Sequence, residues 1–214
     1  NHILQMLALI AMDNPDSLDA IDIRNARAHI LKHLRPMTTR NINQYAVRGQ
    51  YEGYKTETGV REHTQTETYF RLETYVDTAR WKNVPFYLES GKSLFETKTE
   101  IDIYFKNDTE DRQNILTFRI QPDEGIKIRF WVKTPGFDMK VEPKTLKFKY
   151  ADFQSLSVLP DAYEKVLFDA IMGDQTLFTS TDEVLYAWKY ISTVISSWNA
   201  VPLTIYKKGS QEII

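Results

Sequence analysis

The sequence predicts an α+β fold, and three observations carry that prediction. Residues 68–150 keep a period of two through six consecutive segments, helical segments flank them in pairs, and no strand alternates with a helix as a βαβ series would require. The expected order is therefore helix, helix, sheet, helix, helix.

The first helical segment, from His2 to Met12, is apolar on nearly every side, which marks a helix held inside a core. Asp13-Asn14-Pro15 ends it, because the residue before a proline is pushed out of the α region. No capping residue or polar lead-in precedes it, so further chain is expected upstream. A second helix fits Ser17 to about Leu34. Asp19 and Asp22 sit near its start, Ile23, Ala26, Ile30, Leu31 and Leu34 recur at helical spacing, and Lys32, His33 and Arg35 precede Pro36. From Met37 to Thr66 the sequence is polar, carries three glycines and keeps no period, so it reads as a long irregular excursion.

The period-two segments are 68–76, 85–89, 100–106, 114–121, 125–133 and 145–150, and their succession predicts a mostly antiparallel meander. In the fifth, Ile126, Ile128, Phe130 and Val132 alternate with Lys127, Arg129, Trp131 and Lys133. One sheet face is expected to be core and the other amphipathic. The basic stripe of Lys127, Arg129, Lys133, Lys147 and Lys149 reads as an anion patch or as the solvated side of the strands, and Trp131 among these charges favours a partner surface such as a dimer face. The last two helices open at Asp161-Ala-Tyr-Glu164 and Ser180-Thr-Asp-Glu183, each with capping-box spacing, and Gly173 stops the first of them.

Composition narrows the classes of function. With 214 residues, 42% of them hydrophobic, the chain can bury a core for one large domain or two small ones. A formal charge of −2 provides no global field for nucleic acid or an anionic membrane, so neither is expected as a partner. Cysteine is absent, which leaves no disulfide, no thiolate zinc site and no Cys nucleophile, and suits a cytoplasmic protein. The longest apolar run, Ile3 to Met12, is about half the length of a bilayer span.

Few local motifs carry chemistry by themselves. His29 and His33 stand at i, i+4, but no Glu follows the first and no third ligand is evident, so they read as surface histidines near a helix C-terminus. Gly91-Lys92-Ser93 lacks the earlier glycine of a phosphate-cradling loop, and no Gly-x-Gly-x-x-Gly occurs. What remains is a lysine at the end of a strand, where a glycine lets a ligand or another backbone come close.

Taken together, several segments resemble the glucose-6-phosphate dehydrogenase family. They are Asn1-His-Ile-Leu-Gln5, Thr66-Glu-Thr68, Arg80-Trp81, Val84-Pro-Phe-Tyr-Leu88 with Gly91-Lys92, Arg119-Ile-Gln-Pro122, Pro160-Asp-Ala-Tyr-Glu164, Trp188 and Tyr206-Lys-Lys-Gly-Ser210. They occur in order through essentially the whole chain. The resemblance implies one C-terminal substrate-binding and dimerisation domain over residues 1–214, a large mainly antiparallel sheet with helices packed on one face and a homodimer formed through the other.

By the same resemblance His2 is the general base, Lys92 contacts the sugar phosphate and Gln121 lies close to the substrate. A neutral imidazole suits a base near neutral pH, and an ammonium suits a phosphate dianion. Family members carry a second basic residue five positions after that lysine; Thr97 stands there, and the adjacent Lys98 is the candidate substitute. Some eukaryotic members hold a structural NADP to which Arg119 and Lys98 would correspond. Here Asp102 replaces an arginine and few residues follow Ser210, so no structural NADP is expected.

The activity implied is oxidation of glucose 6-phosphate to 6-phosphogluconolactone with NADP, the first step of the pentose phosphate pathway. NADP would be bound mainly by an N-terminal dinucleotide-binding domain whose glycine-rich turn these residues do not include, so the chain alone is expected to be inactive. The alternatives are a stand-alone non-catalytic dimerisation module and a sugar-phosphate-binding module.

Overall fold

The computed structural model describes residues 2–107, 112–152, 162–211 and 213. It divides into two compact units, one built from Asn1–Phe95 with Asp161–Ile214 and the other from Glu96–Pro160.

In the first unit, helices α1 (His2–Ala11), α2 (Ala20–Lys32) and α5 (Thr181–Ser197) share a core with a four-stranded sheet. The strands are β1 (Ala46–Tyr51), β2 (Tyr69–Thr74), β3 (Phe86–Gly91) and β8 (Leu203–Tyr206), in the order β3-β2-β1-β8. β2 is antiparallel to β1 and β3, while β8 runs parallel to β1. Leu4 and Leu7 of α1, Ile30 and Leu31 of α2, Leu72 of β2 and Val194 of α5 are buried together. α1 buries the face of Leu4, Leu7, Ala8 and Ala11 but leaves Leu9 49% exposed, so it joins the core by one face rather than being enclosed on every side as expected. The C-terminal end of α1 is closed by tertiary means: the Trp81 indole N–H donates to the Ala11 carbonyl at 2.7 Å.

α2 starts three residues later than Ser17. The Ser17 hydroxyl bonds the Asp22 carboxylate at 2.8 Å, and the Asp19 N–H donates back to Ser17, which holds this stretch as a bend ahead of the helix. Between α2 and α5 runs a buried ion pair. Arg27 is 3% exposed and Glu183 is 0%, with Nε and Oε1 2.9 Å apart. The guanidinium also donates to the carbonyls of Thr176 and Phe178 at 3.2 and 3.0 Å. Glu183 closes the capping box that the sequence predicts, accepting from the Ser180 N–H at 2.7 Å while Ser180 Oγ accepts from the Glu183 N–H. One carboxylate thus starts α5 and ties it to α2.

The segment 37–66 is not the irregular excursion expected. It contains a short helix, α3 (Ile42–Tyr45), and β1, an inner strand of the sheet. β1 hides from a pattern search because two of its buried side chains are polar. The Gln50 amide donates to the Thr66 carbonyl at 2.8 Å, and the Arg48 guanidinium reaches the carbonyls of Trp198 and Gln65. β8 was likewise not anticipated: it is four residues long and follows Pro202. α4 (Ala162–Met172) ends at Gly173, whose φ of 73° is left-handed, as its position after the helix predicts. The capping box expected at Asp161 lies outside the described residues.

The second unit holds the last four of the six predicted strands as a meander; the first two, β2 and β3, belong instead to the sheet of the first unit. β4 (Thr99–Tyr104), β5 (Ile115–Gln121), β6 (Gly125–Lys133) and β7 (Val141–Lys149) pair antiparallel in chain order. β7 begins earlier than its alternation indicates because it includes Pro143, which an edge strand tolerates. Cross-strand pairs place Leu116 beside Ile128, Phe118 and Phe148 on either side of Ile126, and Leu146 on the far side of Ile128. This apolar face is not the buried core expected of it: Ile128 is 41% exposed, Phe148 40% and Leu146 62%. Within the unit, the described residues form no α-helix, so among them none supplies a helical layer over the face.

Removing one member of a buried pair strands the other charge, whereas replacing both by apolar groups removes the penalty. Glu183→Ala should cost about 3–5 kcal/mol of unfolding free energy by urea titration. The double change Arg27→Met with Glu183→Leu should cost less than that single change.

Candidate functional site

Lys92 is the best-prepared of the candidate residues. It follows the last residue of β3, an edge strand, so sheet pairing holds it from one side only. Its N–H donates to the Thr68 carbonyl at 2.8 Å, and its own carbonyl accepts from the Tyr206 hydroxyl at 2.6 Å. One residue on, the Ser93 carbonyl accepts from the Gly209 N–H at 2.8 Å. Ser93 has φ of 54°, Leu94 forms a parallel bridge with Ser210, and the Phe95 N–H donates to the Ser210 carbonyl at 3.1 Å. The backbone is fixed on both sides of Lys92, and its side chain is exposed.

Tyr206 itself is buried beside Tyr51 and Tyr69. Its oxygen lies 2.9 Å from Thr68 Oγ1, which accepts from the Tyr51 N–H at 3.0 Å. The Tyr206 O–H has two acceptors in reach, the Lys92 carbonyl at 2.6 Å and, at 3.2 Å, the Thr68 carbonyl, which already accepts from the Lys92 N–H. A hydroxyl has one hydrogen, and the shorter contact gives the order Tyr51 N–H to Thr68 Oγ1, Thr68 O–H to the Tyr206 oxygen, Tyr206 O–H to the Lys92 carbonyl. Burial pushes the Tyr206 phenol above its ordinary pKa, against the opposing effects of Thr68 and of the Lys92 backbone, which keeps it a donor. Two glycines make room. A Cβ on Gly91 would stand 2.7 Å from the Tyr69 ring, and one on Gly49 would stand 3.0 Å from the Tyr206 ring.

His2 opens α1 and is exposed. The far end of its helix is anchored by Trp81, whose ring meets Phe86 edge-on at 5.2 Å and lies under the Arg80 guanidinium at the same distance. Arg80 also pairs with Asp13 at 2.8 Å, just past the helix end. Arg80-Trp81 therefore serves the helix that carries His2.

Lys98 and Gln121 belong to the second unit, and the structure brings them to one end of its sheet. Gln121 is exposed and pairs across the ladder with Thr99, the residue after Lys98. The Lys98 ammonium is bonded to Glu100, with Glu96 at 3.9 Å, and its pKa is raised chiefly by the Glu100 hydrogen bond. Arg119 shares the same two carboxylates, at 2.8 Å from Glu96 and 3.6 Å from Glu100. Two cations are thus matched by two anions, and an incoming phosphate would have to displace a carboxylate from Lys98. Asp102 accepts from the Thr117 hydroxyl at 2.5 Å. The His29 and His33 rings lie 4.3 Å apart, and the described residues contain no group of three metal-ligating side chains.

The family model described as glucose-6-phosphate dehydrogenase, C-terminal domain, matches residues 1–213. The chain belongs to this family. It is 36% identical to the glucose-6-phosphate 1-dehydrogenase of Borreliella burgdorferi over 99% of its own length, and 39% identical to that of Aggregatibacter actinomycetemcomitans over 92%. It spans 48% and 43% of those relatives, less than half of either. Among solved structures, the glucose-6-phosphate 1-dehydrogenase of Mycobacterium avium superposes with a TM-score of 0.81 at 28% identity, covering 98% of this chain and 45% of that one. A glucose-6-phosphate dehydrogenase in complex with its substrate glucose 6-phosphate superposes with a TM-score of 0.89 at 29% identity, covering 99% and 46%.

The contribution of Thr68, Tyr206 and Gly209 escaped sequence reasoning. Their segments are among those that resemble the glucose-6-phosphate dehydrogenase family, but no spacing indicates that they meet at Lys92. Gly91→Ala should lower stability by about 1–3 kcal/mol through overpacking against Tyr69 and Leu94, readable as a lower thermal midpoint.

Proposed function

We propose that this chain is the substrate-binding and dimerisation part of a cytoplasmic glucose-6-phosphate 1-dehydrogenase that uses NADP, taking residues 1–214 as one functional domain. The observation that carries the reading is Lys92: an exposed ammonium on a backbone bonded at both of its peptide groups, in a chain of this family. A fixed point charge suits the phosphate of glucose 6-phosphate, because positioning before binding reduces the ordering cost.

In this reading His2 accepts the proton of the C1 hydroxyl as the sugar is oxidised to the lactone, and α1 sets the height of the imidazole through its anchored far end. Gln121 contributes amide hydrogen bonds to the sugar, and Lys98 is a secondary phosphate contact that must first be released by Glu100. The 214 residues do not fit NADP by the dinucleotide fingerprint, since no Gly-x-Gly-x-x-Gly occurs in them. Oxidation needs an acceptor for the hydride, which NADP supplies when held by other parts of the parent protein.

For the homodimer, the half-exposed apolar face of the second unit supports association better than its basic face. Contiguous exposed apolar surface marks partner contacts, whereas the lysine stripe is already solvated.

With glucose 6-phosphate and NADP, the full-length protein should form NADPH and the 214-residue chain alone should not; turnover by the isolated chain would overturn the division of labour. In the full-length protein His2→Ala should lower kcat by roughly 10²–10⁴-fold. Lys92→Met should act mainly on KM for glucose 6-phosphate. Leu146→Asp should shift the sedimentation profile toward monomer, and an unchanged profile would remove this face from the interface.

A further inference from the structure

We propose that Tyr206 is a positioning residue for the sugar-phosphate site: its hydroxyl, together with the Gly209 N–H, sets where the Lys92 ammonium stands. The proposal rests on the role given to Lys92 above and adds to it a residue that touches no substrate.

The argument is one of available partners. β3 is an edge strand, so beyond Gly91 the ladder offers Lys92 one neighbour, the Thr68 carbonyl. A lysine held only by that bond could swing about its own ψ, and the ammonium at the end of four methylenes would sweep a wide volume. Tyr206 removes that freedom by donating to the Lys92 carbonyl at 2.6 Å, and Gly209 fixes the next peptide through the Ser93 carbonyl at 2.8 Å. Both partners come from the C-terminal segment, which is joined to this turn again at Leu94 and Ser210.

Packing alone does not explain the arrangement. A phenylalanine at 206 would fill the same space beside Tyr51 and Tyr69, yet would leave the Lys92 carbonyl and the Thr68 hydroxyl without this partner. The bare Cα of Gly49 lies against the ring and lets it rest on β1. Thr68 orients the phenol by donating to it, so Tyr51, Thr68 and Tyr206 act as one relay ending on Lys92.

The test uses the full-length enzyme and compares glucose 6-phosphate with glucose, which lacks the group that Lys92 would bind. Tyr206→Phe should lower kcat/KM for glucose 6-phosphate roughly tenfold and leave kcat/KM for glucose unchanged, because a displaced charge affects only the phosphate. In a Lys92→Met background the same change should lower kcat/KM for glucose 6-phosphate no further. Thr68→Val, which keeps the phenol but removes its orienting donor, should give the same selective loss in smaller measure, including where Tyr206→Phe does not fold. Equal loss on both sugars, or additive loss in the double variant, would overturn the positioning role while leaving the function of Lys92 standing. If Lys92→Met itself spares discrimination between the two sugars, the reading of Lys92 falls and this inference with it.

Discussion

The pairing of β8 with β1 is the constraint on which the candidate phosphate site depends. It is parallel, it joins residues more than 150 positions apart in sequence, and it delivers the Tyr206 hydroxyl to the carbonyl of Lys92. A parallel pair cannot be closed by a hairpin, so the connection from β1 to β8 runs through the intervening strands and helices. The turn bearing Lys92 is completed by β8, more than a hundred residues further along the sequence. Glycine at 49 and at 91 is the local condition for that closure, since either Cβ would press on a tyrosine ring.

Charge is handled in three ways that bear differently on function. Arg27 and Glu183 are buried and paired with each other, with two carbonyls accepting from the guanidinium and the carboxylate closing a helix start, so they fix the geometry between α2 and α5. Lys98 and Arg119 are half exposed and neutralised by Glu96 and Glu100, an arrangement that contributes little stability in water and that a stronger anion could reopen. Lys92 has an ordered backbone and an exposed ammonium. Of the three, Lys92 combines positional order with access, which is the combination recognition of a phosphate requires.

The second unit presents a different problem. Its alternation is regular and its four strands pair in chain order, yet both faces meet solvent in part because the unit has no helical layer of its own among the described residues. Alternation reports that two faces differ; it does not report what lies over either of them. With Leu146 at 62% exposure, the apolar face is not a buried core of this chain.

The sequence by itself determined the α+β class, α1 as a helix, the capping box of α5, the glycine stop of α4 and the strands of the antiparallel segment, though not their division between two sheets, because each is written in a local period or a short capping pattern. It also singled out His2, Lys92, Lys98 and Gln121, through resemblance to a family rather than through local physics. Only the tertiary structure decided that 46–51 is an inner strand, since Arg48 and Gln50 are buried against carbonyls far along the chain and leave no apolar signature. It alone separated Lys92 from Lys98, two lysines six positions apart with equal formal charge, by giving one two acidic partners and the other an exposed ammonium on a fixed backbone. And it alone joined Thr66-Glu-Thr68 and Tyr206-Lys-Lys-Gly-Ser210 to Gly91-Lys92. The Thr68 bond extends the β2–β3 ladder by one residue, but the bonds from Tyr206 and Gly209 span more than a hundred residues and have no periodicity to read, so they exist only once the chain has closed.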